Sequence, residues 1–139
     1  MLKQADQHHV KINMDCPEHM PHIDANSTLL QRALVNLYTN AIQAMPNGGT
    51  LSVKTHVNSK NESVYIEVAD NGVGIPPEAM DKIFTPFFTT RSGRSGLGLA
   101  ITYRIIDWHG GRISVVSQPE SGTIFEIILP LKKASSYSN

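Results

Sequence analysis

An apolar stripe between residues 27 and 45 constrains the fold of this chain more than any other feature of the sequence. At about 100° per residue, one side of a helix here carries five apolar side chains: Leu30, Leu34, Leu37, Ala41 and Met45. Asp24 or Asn26 can cap this helix, and the run Pro46-Asn47-Gly48-Gly49 ends it. Because such a stripe must be buried, the sequence predicts a helix that packs on the rest of the domain by one side.

The opposite side of the same helix is polar, and it carries Asn36 and Asn40 one turn apart, between Arg32 and Gln43. A solvated face is one interpretation, because polar faces are ordinary in amphipathic helices. A solvated face usually carries Lys and Glu, however. Paired uncharged oxygens also suit a hard cation or a polar pocket, so this segment alone leaves both interpretations open.

The other regular patterns are mostly those of strands, at about residues 8–14, 50–57, 63–69, 112–118 and 123–130. A second helix is predicted at 96–109, because His109-Gly110-Gly111 places glycine where a left-handed cap ends a helix. Strands outnumber helices without strict alternation. This order predicts an α+β sandwich, with one mixed sheet and helices on one face.

Composition excludes several classes of protein. The 139 residues are 40% apolar and 17% charged, which is typical of one globular domain. Basic and acidic residues number 12 each, so no nucleic-acid footprint is indicated. The single cysteine, Cys16, excludes an internal disulfide and fits a reducing compartment. No run has the length of a membrane span, and no signal peptide opens the chain.

Asp70 stands at the end of a predicted strand, and Gly72 and Gly74 follow it in the run DNGVGIP. Glycines at this spacing let the backbone approach a planar ligand closely. An ionised carboxylate only accepts hydrogen bonds, so Asp70 suits a ligand with an exposed NH2 group, such as adenine. The alternative is an ordinary hairpin turn, although no alternating apolar strand follows at hairpin distance.

The run SGRSGLGLA at residues 92–100 leads directly into the second helix. Its glycines free backbone N–H groups, and a helix N-terminus attracts anions, so the run is a weak signal for phosphate. It is not a P-loop, because GxxxxGK[ST] is absent, and it is not a dinucleotide fingerprint, because Ile101 replaces the third glycine. A flexible hinge is the alternative.

Taken in order, the motifs NxxxNA, DNGxGI, FTPFFTT and SGLGLAI resemble the catalytic ATP-binding domain of bacterial sensor histidine kinases. That domain belongs to the superfamily of gyrase, heat-shock protein 90 and mismatch-repair ATPases. The resemblance implies a two-layer α/β sandwich (the Bergerat fold) with about five strands, about three helices and a mobile ATP lid. It implies a domain at 9–131, a linker remnant at 1–8 and a disordered tail at 132–139.

The resemblance also implies ATP and Mg²⁺ as cofactors. Asn40 would hold Mg²⁺ through its side-chain oxygen, and Asn36 would lie beside the phosphates or the ion. Asp70 would accept from the adenine amine, above Gly72 and Gly74. The remaining nucleotide contacts implied are Ile75, Thr90, Ser95, Gly96, Leu97 and Gly98. Gln43 occupies a place that is often basic, so that contact would lose its charge.

Two arginines are candidates for phosphate contacts on the same grounds. Arg91 follows FFTT, where relatives often carry a basic residue, and we expect it at the γ-phosphate. Arg94 replaces a further glycine, and its guanidinium would either face a phosphate or point to solvent. The aromatic motif, with Phe84, Phe87 and Phe88 around Pro86, would anchor the lid and pack beneath it, with docking on a dimerisation domain as a second role.

Asn36 favours a histidine as phosphate acceptor. By the same resemblance, hydrolysing and serine-directed relatives carry a glutamate at this place as general base. Imidazole already presents an unprotonated nitrogen at neutral pH and needs little activation. The expected activity is therefore an ATP:protein-histidine phosphotransferase in two-component signalling. A GHKL-type ATPase or a serine-directed anti-sigma kinase is the alternative, and a degenerate nucleotide-binding module is a third possibility.

The resemblance places the phosphoacceptor in a motif beginning His-Glu or His-Asp, and this sequence contains no such pair. The implied partners are a separate, N-terminal dimerisation domain and a downstream response regulator. We expect the isolated domain to be monomeric and cytoplasmic, within a protein that can be anchored in the inner membrane. We also expect residues 72–95, which must open for nucleotide exchange, to be the most mobile.

Other residues have simpler interpretations. Cys16, His19 and His22 have a spacing that could hold zinc, but a surface loop with incidental histidines is favoured. His109 is interpreted as a partner of the helix C-terminal dipole. Four apolar or aromatic residues of the second helix are expected in the core: Tyr103, Ile105, Ile106 and Trp108.

Overall fold

Five strands form one mixed sheet, covered by two α-helices, in the computed structural model, which describes residues 9–17, 25–60, 62–88 and 96–131. The elements, in chain order, are β1 (Val10–Asp15), α1 (Ser27–Gln43), β2 (Gly49–Asn58), β3 (Ser63–Asp70), a short 3-10 helix (Pro77–Lys82), α2 (Gly98–Trp108), β4 (Arg112–Gln118) and β5 (Gly122–Pro130). The predicted α+β sandwich is confirmed. None of the helices among the described residues is long and apolar enough to cross a bilayer.

The sheet has the order β1-β2-β3-β5-β4, in which β1 and β2 are parallel and all other pairs antiparallel. Its register aligns Val53, Val68 and Phe125 in one row across the three central strands. All three side chains are buried against the helices. Because side chains alternate along a strand, this row lies on the inner face of the sheet.

Both α-helices bury one side in the same core. On α1 the buried residues are Ala33, Leu37, Ala41 and Ile42, and on α2 they are Ala100, Thr102, Ile105 and Ile106. Asn26 is the cap of α1, because its Oδ1 accepts from the Leu29 N–H at 3.0 Å. Asp24, the other predicted cap, lies outside the described residues.

The prediction that Tyr103 and Trp108 belong to the core is wrong. Trp108 is 66% exposed and Tyr103 is 45% exposed, whereas Ile105 and Ile106 are buried as predicted. The buried side of α2 is narrow, and the two large rings lie at its borders. There Tyr103 packs against Phe84, with ring centroids 5.4 Å apart, without being fully buried.

The region predicted to be irregular, 70–95, contains the 3-10 helix Pro77–Lys82. Its proline lies in the first turn, where a fixed φ favours helical geometry and the missing N–H costs nothing. The sequence pattern did not reveal it because one short turn has no periodicity to detect. Residues 89–95 lie outside the described part of the chain, so the expected mobility of this region stays a prediction.

His109 joins the two α-helices. Its ring is buried, and Nε2 accepts from the Asn26 backbone N–H at 2.9 Å. Nδ1 therefore carries the proton and donates to the Ile105 carbonyl, 2.7 Å away. The position at the end of α2 predicts the contact with a last-turn carbonyl. The second bond, to the Asn26 N–H, ties the end of α2 to the start of α1.

Replacement of His109 is expected to destabilise the fold. His109→Ala removes two hydrogen bonds and leaves a cavity, and should lower the free energy of unfolding by about 2 to 4 kcal/mol. Arg104→Ala, on the exposed side of the same helix, should change it by no more than about 0.5 kcal/mol. Urea unfolding followed by circular dichroism measures both, and equal stabilities of the two variants would contradict this role.

Candidate functional site

The polar side of α1 packs against two other segments. The Asn36 Nδ2 donates to the Gly98 carbonyl at 3.2 Å, at the first residue of α2. At the other end, the Ala44 carbonyl accepts from the Val73 N–H at 3.0 Å. Asn40 lies one turn from each of these contacts, so it faces the space that they border.

Burial along this side supports a pocket wall. We call Asn36, Asn40 and Gln43 the amide seam of α1, and all three residues are half-buried. Only Arg32, one turn earlier, is exposed like an ordinary surface residue. A plain solvated face is therefore excluded for the amide seam, and the polar-pocket interpretation is the one that fits.

Asp70 ends β3 and is buried, with only 9% of its surface exposed. Its Oδ1 accepts from the Gly72 N–H at 2.9 Å, so the following loop orients the carboxylate. In the described part of the chain, no strand follows Asp70 before β4 at Arg112. The interpretation of this segment as a hairpin turn is therefore wrong, and a buried carboxylate at a strand end is what remains.

Gly72 and Gly74 are required by close contacts within the protein. A Cβ at Gly72 would lie 2.3 Å from the Ala44 carbonyl oxygen, and one at Gly74, where φ is +76°, would lie 2.1 Å from the Gln118 carbonyl oxygen. Neither distance leaves room for a side chain. The two glycines thus allow the 70–75 loop to pack closely against the end of α1 and against the turn between β4 and β5.

Side chains that the sequence reasoning did not select hold the same loop. Asn71 Oδ1 accepts from the Thr50 N–H at 2.9 Å, and Ser117 Oγ accepts from the Ile75 N–H at 2.8 Å. Ser117 in turn donates to the Gly122 carbonyl at 2.9 Å. Asn71 stands inside the DNG motif and could have been chosen, whereas Ser117 lies 42 residues from its partner and carries no local signal.

The second glycine run begins α2. Gly96 has a φ of +75°, and a Cβ there would lie 2.5 Å from the Phe87 carbonyl carbon. Leu97 occupies the N-cap position and gives no side-chain cap. Gly98 differs from the other glycines, because in the described part of the chain the atoms nearest to a Cβ there belong to Asn36, at an ordinary 3.8 Å. Packing against the described residues therefore does not require a glycine at position 98. This position borders the amide seam.

The aromatic motif is only partly packed. Phe84 and Phe88 pack against the core, and Phe84 meets Phe125 edge-on at 6.3 Å. Phe87 is 74% exposed, so the expectation that it packs beneath the lid is wrong. Its N–H donates to the Gly96 carbonyl at 3.0 Å, and its φ of +70° turns the ring outward.

Four predicted site residues lie outside the described part of the chain: Thr90, Arg91, Arg94 and Ser95. Their contacts with a nucleotide stay predictions. His19 and His22, from the zinc hypothesis, lie outside it as well. The cysteine of that hypothesis, Cys16, is exposed and donates to Thr55 Oγ1 at 3.5 Å.

Tyr38 lies between the two asparagines in sequence but outside the amide seam. Its side chain is partly buried with the core. Burial, and to a smaller extent the nearby Cys16 thiol, raise the pKa of the phenol above its ordinary value of 10.0. Tyr38 is therefore a neutral packing residue at physiological pH and brings no charge to the site.

The residues of the amide seam fit a hard cation that would take its remaining ligands from a phosphate chain and water. Among the described residues, no group of three or more His, Cys, Asp or Glu could cage a metal. The amide seam instead offers carboxamide oxygens, and Gln43 Oε1 is buried without a hydrogen-bond partner in the described chain. Mg²⁺ typically takes few protein oxygens and completes its shell with phosphates and water.

A separate cavity of about 170 Å³ lies at the far end of α2. Its lining residues are Tyr103, Ile106, Asp107, Gly111, Arg112 and Ile113. The asparagines of α1, the 70–75 loop and the glycine run at the start of α2 do not line this cavity. The motif residues instead converge on the amide seam, which makes the seam the better candidate.

Comparisons with known proteins identify the family of the chain. The family described as histidine kinase-, DNA gyrase B- and HSP90-like ATPases matches residues 25–133. The sensor histidine kinase ZraS of Escherichia coli (strain K12) is 38% identical over 129 residues. The match covers 93% of this chain but 27% of ZraS, so the chain spans about a quarter of the length of that relative.

Solved structures give the same result for the fold. The nucleotide-free catalytic domain of the histidine kinase ThkA superposes with a TM-score of 0.82 at 30% identity, covering 94% of this chain and 86% of that domain. Full-length ShkA in complex with AMPPNP superposes with a TM-score of 0.80 at 27% identity, covering 92% of this chain and 27% of that one. The predicted kinship with histidine kinase catalytic domains is confirmed.

The two classes of glycine should respond differently to an added methyl group. Gly72→Ala should lower the free energy of unfolding by about 1 to 3 kcal/mol or more, because the Ala44 carbonyl cannot move away. Gly98→Ala should leave stability within about 1 kcal/mol, because only ordinary contact is added. Urea unfolding of both variants checks this, and a Gly72→Ala protein as stable as wild type would refute the close approach.

Proposed function

Because the chain belongs to the family of histidine kinase-, DNA gyrase B- and HSP90-like ATPases, we propose that it acts as the ATP-binding catalytic domain of a sensor histidine kinase. The observation that carries this proposal is that the segments of two other motifs, at Gly98 and Val73, contact the helix that carries the two asparagines. Asn36 bonds to Gly98, and the Ala44 carbonyl bonds to Val73. These two contacts support the proposal that the amide seam, the Asp70 loop and the start of α2 border one site.

In the proposed complex, adenine lies against the 70–75 loop. Asp70 accepts a hydrogen bond from the exocyclic amine, which a buried and ionised carboxylate does strongly. Gly72 keeps the backbone close to α1 and adds no side chain of its own next to the carboxylate. Ile75, which packs beside the core, supplies an apolar contact for the ring.

The triphosphate would then extend along the amide seam towards α2. Asn40 would supply an oxygen for Mg²⁺, and Gln43 would lie beside the phosphates without adding charge. The ion would neutralise phosphate charge and align the transferred group. Gly96, Leu97 and Gly98 present backbone at the start of α2, where the helix dipole favours an anion. Arg91, at the γ-phosphate, and Arg94 are proposed as the cationic side chains.

The acceptor is proposed to be a histidine on another domain. Asn36 is an amide and not a carboxylate, so it orients groups but cannot abstract a proton from water or a serine. A neutral imidazole attacks phosphorus without a general base. This is why we do not favour the alternative of an ATPase or serine-directed kinase. A dimerisation domain carrying the histidine, and a response regulator that receives the phosphoryl group, are the proposed partners.

Other expectations remain proposals of the same kind. The domain is proposed to occupy residues 9–131, as a monomer in isolation and on the cytoplasmic side of any membrane anchor. The direct test of the function is incubation of the chain with a histidine kinase dimerisation domain and γ-labelled ATP. Acid-labile label on the histidine supports transfer. Tight ATP binding without label would favour a regulatory module.

Asp70→Asn is expected to weaken adenine binding. An amide in place of the carboxylate turns a charged hydrogen bond into a neutral one, and the dissociation constant for Mg-ATP should rise about tenfold to a hundredfold. The matched control is Asp107→Asn, at an exposed position of α2, which should bind as wild type does. Calorimetry measures both, and an unchanged constant for Asp70→Asn would refute the adenine assignment.

A further inference from the structure

Three polar side chains form one row across the inner face of the sheet. Ser117 on β4 lies opposite Thr123 on β5, and Thr123 lies opposite Asp70 on β3. Thr123 and Asp70 are buried, and Ser117 is half-buried. Opposed residues on neighbouring strands have Cβ atoms about 5 Å apart, so neighbouring side chains of the row can interact. The row ends at the carboxylate that the proposed function assigns to adenine, and it contains two hydroxyl groups that this function does not use.

The hydrogen bonds of Ser117 account for its whole hydroxyl group. Its Oγ accepts from the Ile75 N–H at 2.8 Å and donates to the Gly122 carbonyl at 2.9 Å. A hydroxyl has one proton and two lone pairs, so these two bonds leave a single lone pair. Thr123 Oγ1 lies 2.8 Å from this oxygen. Because the only proton of Ser117 is engaged with a carbonyl, Thr123 must be the donor in the bond between the two hydroxyls.

This assignment fixes the direction of the Thr123 proton. In the sheet, β5 lies between β4 and β3, so a proton donated to Ser117 points away from Asp70. The Thr123 oxygen is then left with lone pairs only. A carboxylate also only accepts hydrogen bonds. Asp70 and Thr123 therefore form an acceptor pair at the buried end of the 70–75 loop, which fits a ligand amine with two hydrogens to donate.

We propose that Ser117 is a positioning residue that determines which purine this domain binds. It acts through Thr123, whose proton it holds, so that Thr123 and Asp70 both accept from the 6-amine of adenine. A purine with an oxo group at position 6 can still offer its N1–H to Asp70, but its O6 oxygen then meets a second acceptor. This inference rests on the proposed function and adds to it a specificity residue on a strand outside its motifs.

Calorimetry with adenosine diphosphate and inosine diphosphate in MgCl2 tests the proposal without any activity measurement. The two ligands share sugar, phosphates and metal, and they differ in the 6-substituent and in the hydrogen on N1. Wild type should prefer the adenosine ligand by about tenfold to a hundredfold, the size expected for one buried acceptor left unpaired. Ser117→Ala frees the Thr123 proton to meet O6, so the ratio of the two dissociation constants should move towards one by at least about fivefold.

Further variants separate positioning from structural support. If Ser117 only held the loop, its replacement by alanine would weaken both ligands equally and leave their ratio unchanged. Ser117→Thr keeps the hydroxyl and should keep the wild-type ratio. In a Thr123→Val background, Ser117→Ala should no longer change the ratio, because the group through which it acts is gone. Ser114→Ala, at an exposed position on the opposite face of β4, is the matched control and should bind both ligands as wild type does.

Four results would contradict the proposal. A folded Ser117→Ala protein with the wild-type ratio would overturn it and leave the proposed function intact. An effect of Ser117→Ala that persists in the Thr123→Val background would show that Ser117 does not act through Thr123. If thermal unfolding shows that Ser117→Ala does not fold, Thr123→Val alone decides, and an unchanged ratio there would refute the acceptor pair. Absence of binding of both diphosphates to the wild type would overturn the proposed function together with this inference.

Discussion

The contact between the end of α1 and the loop after β3 is the constraint on which the site depends. Ala44 presents a bare carbonyl to the Val73 N–H at 3.0 Å, and Gly72 has no room for a Cβ against it. This contact holds the loop that follows Asp70 against the end of the helix that carries Asn40. The proposed site requires Asp70 and Asn40 to border one space, and a wider gap here would separate them.

The residues around the site differ in whether the packing of the protein itself explains them. Gly72, Gly74 and Gly96 are required by the protein's own close approaches, so each has a structural cause before any ligand is considered. Gly98 and Gln43 are the opposite case. Among the described residues, Gly98 has space for a methyl group, and Gln43 holds a side-chain oxygen without a hydrogen-bond partner.

Sequence reasoning predicted most of the fold because the periodic elements are long. The stripe on α1 identifies the buried side of that helix without knowledge of its partners, and the strand patterns locate the strands. Contacts between distant segments were not predictable in this way. Ser117 meets Ile75 across 42 residues, and His109 meets Asn26 across 83. Hydrophobicity also wrongly predicted that Trp108 and Phe87 are buried. Trp108 lies at the border of the buried side of α2, and the left-handed backbone of Phe87 turns its ring towards solvent.

The central claim is that one nucleotide binds between the amide seam and the 70–75 loop. Two-dimensional amide NMR with Mg²⁺ and AMPPNP tests it most directly. The account predicts that the largest shifts fall on Asn40, Asp70, Gly72 and Gly98, with little change around Arg112. Shifts concentrated at the cavity near Arg112, with the four site amides unmoved, would contradict the account.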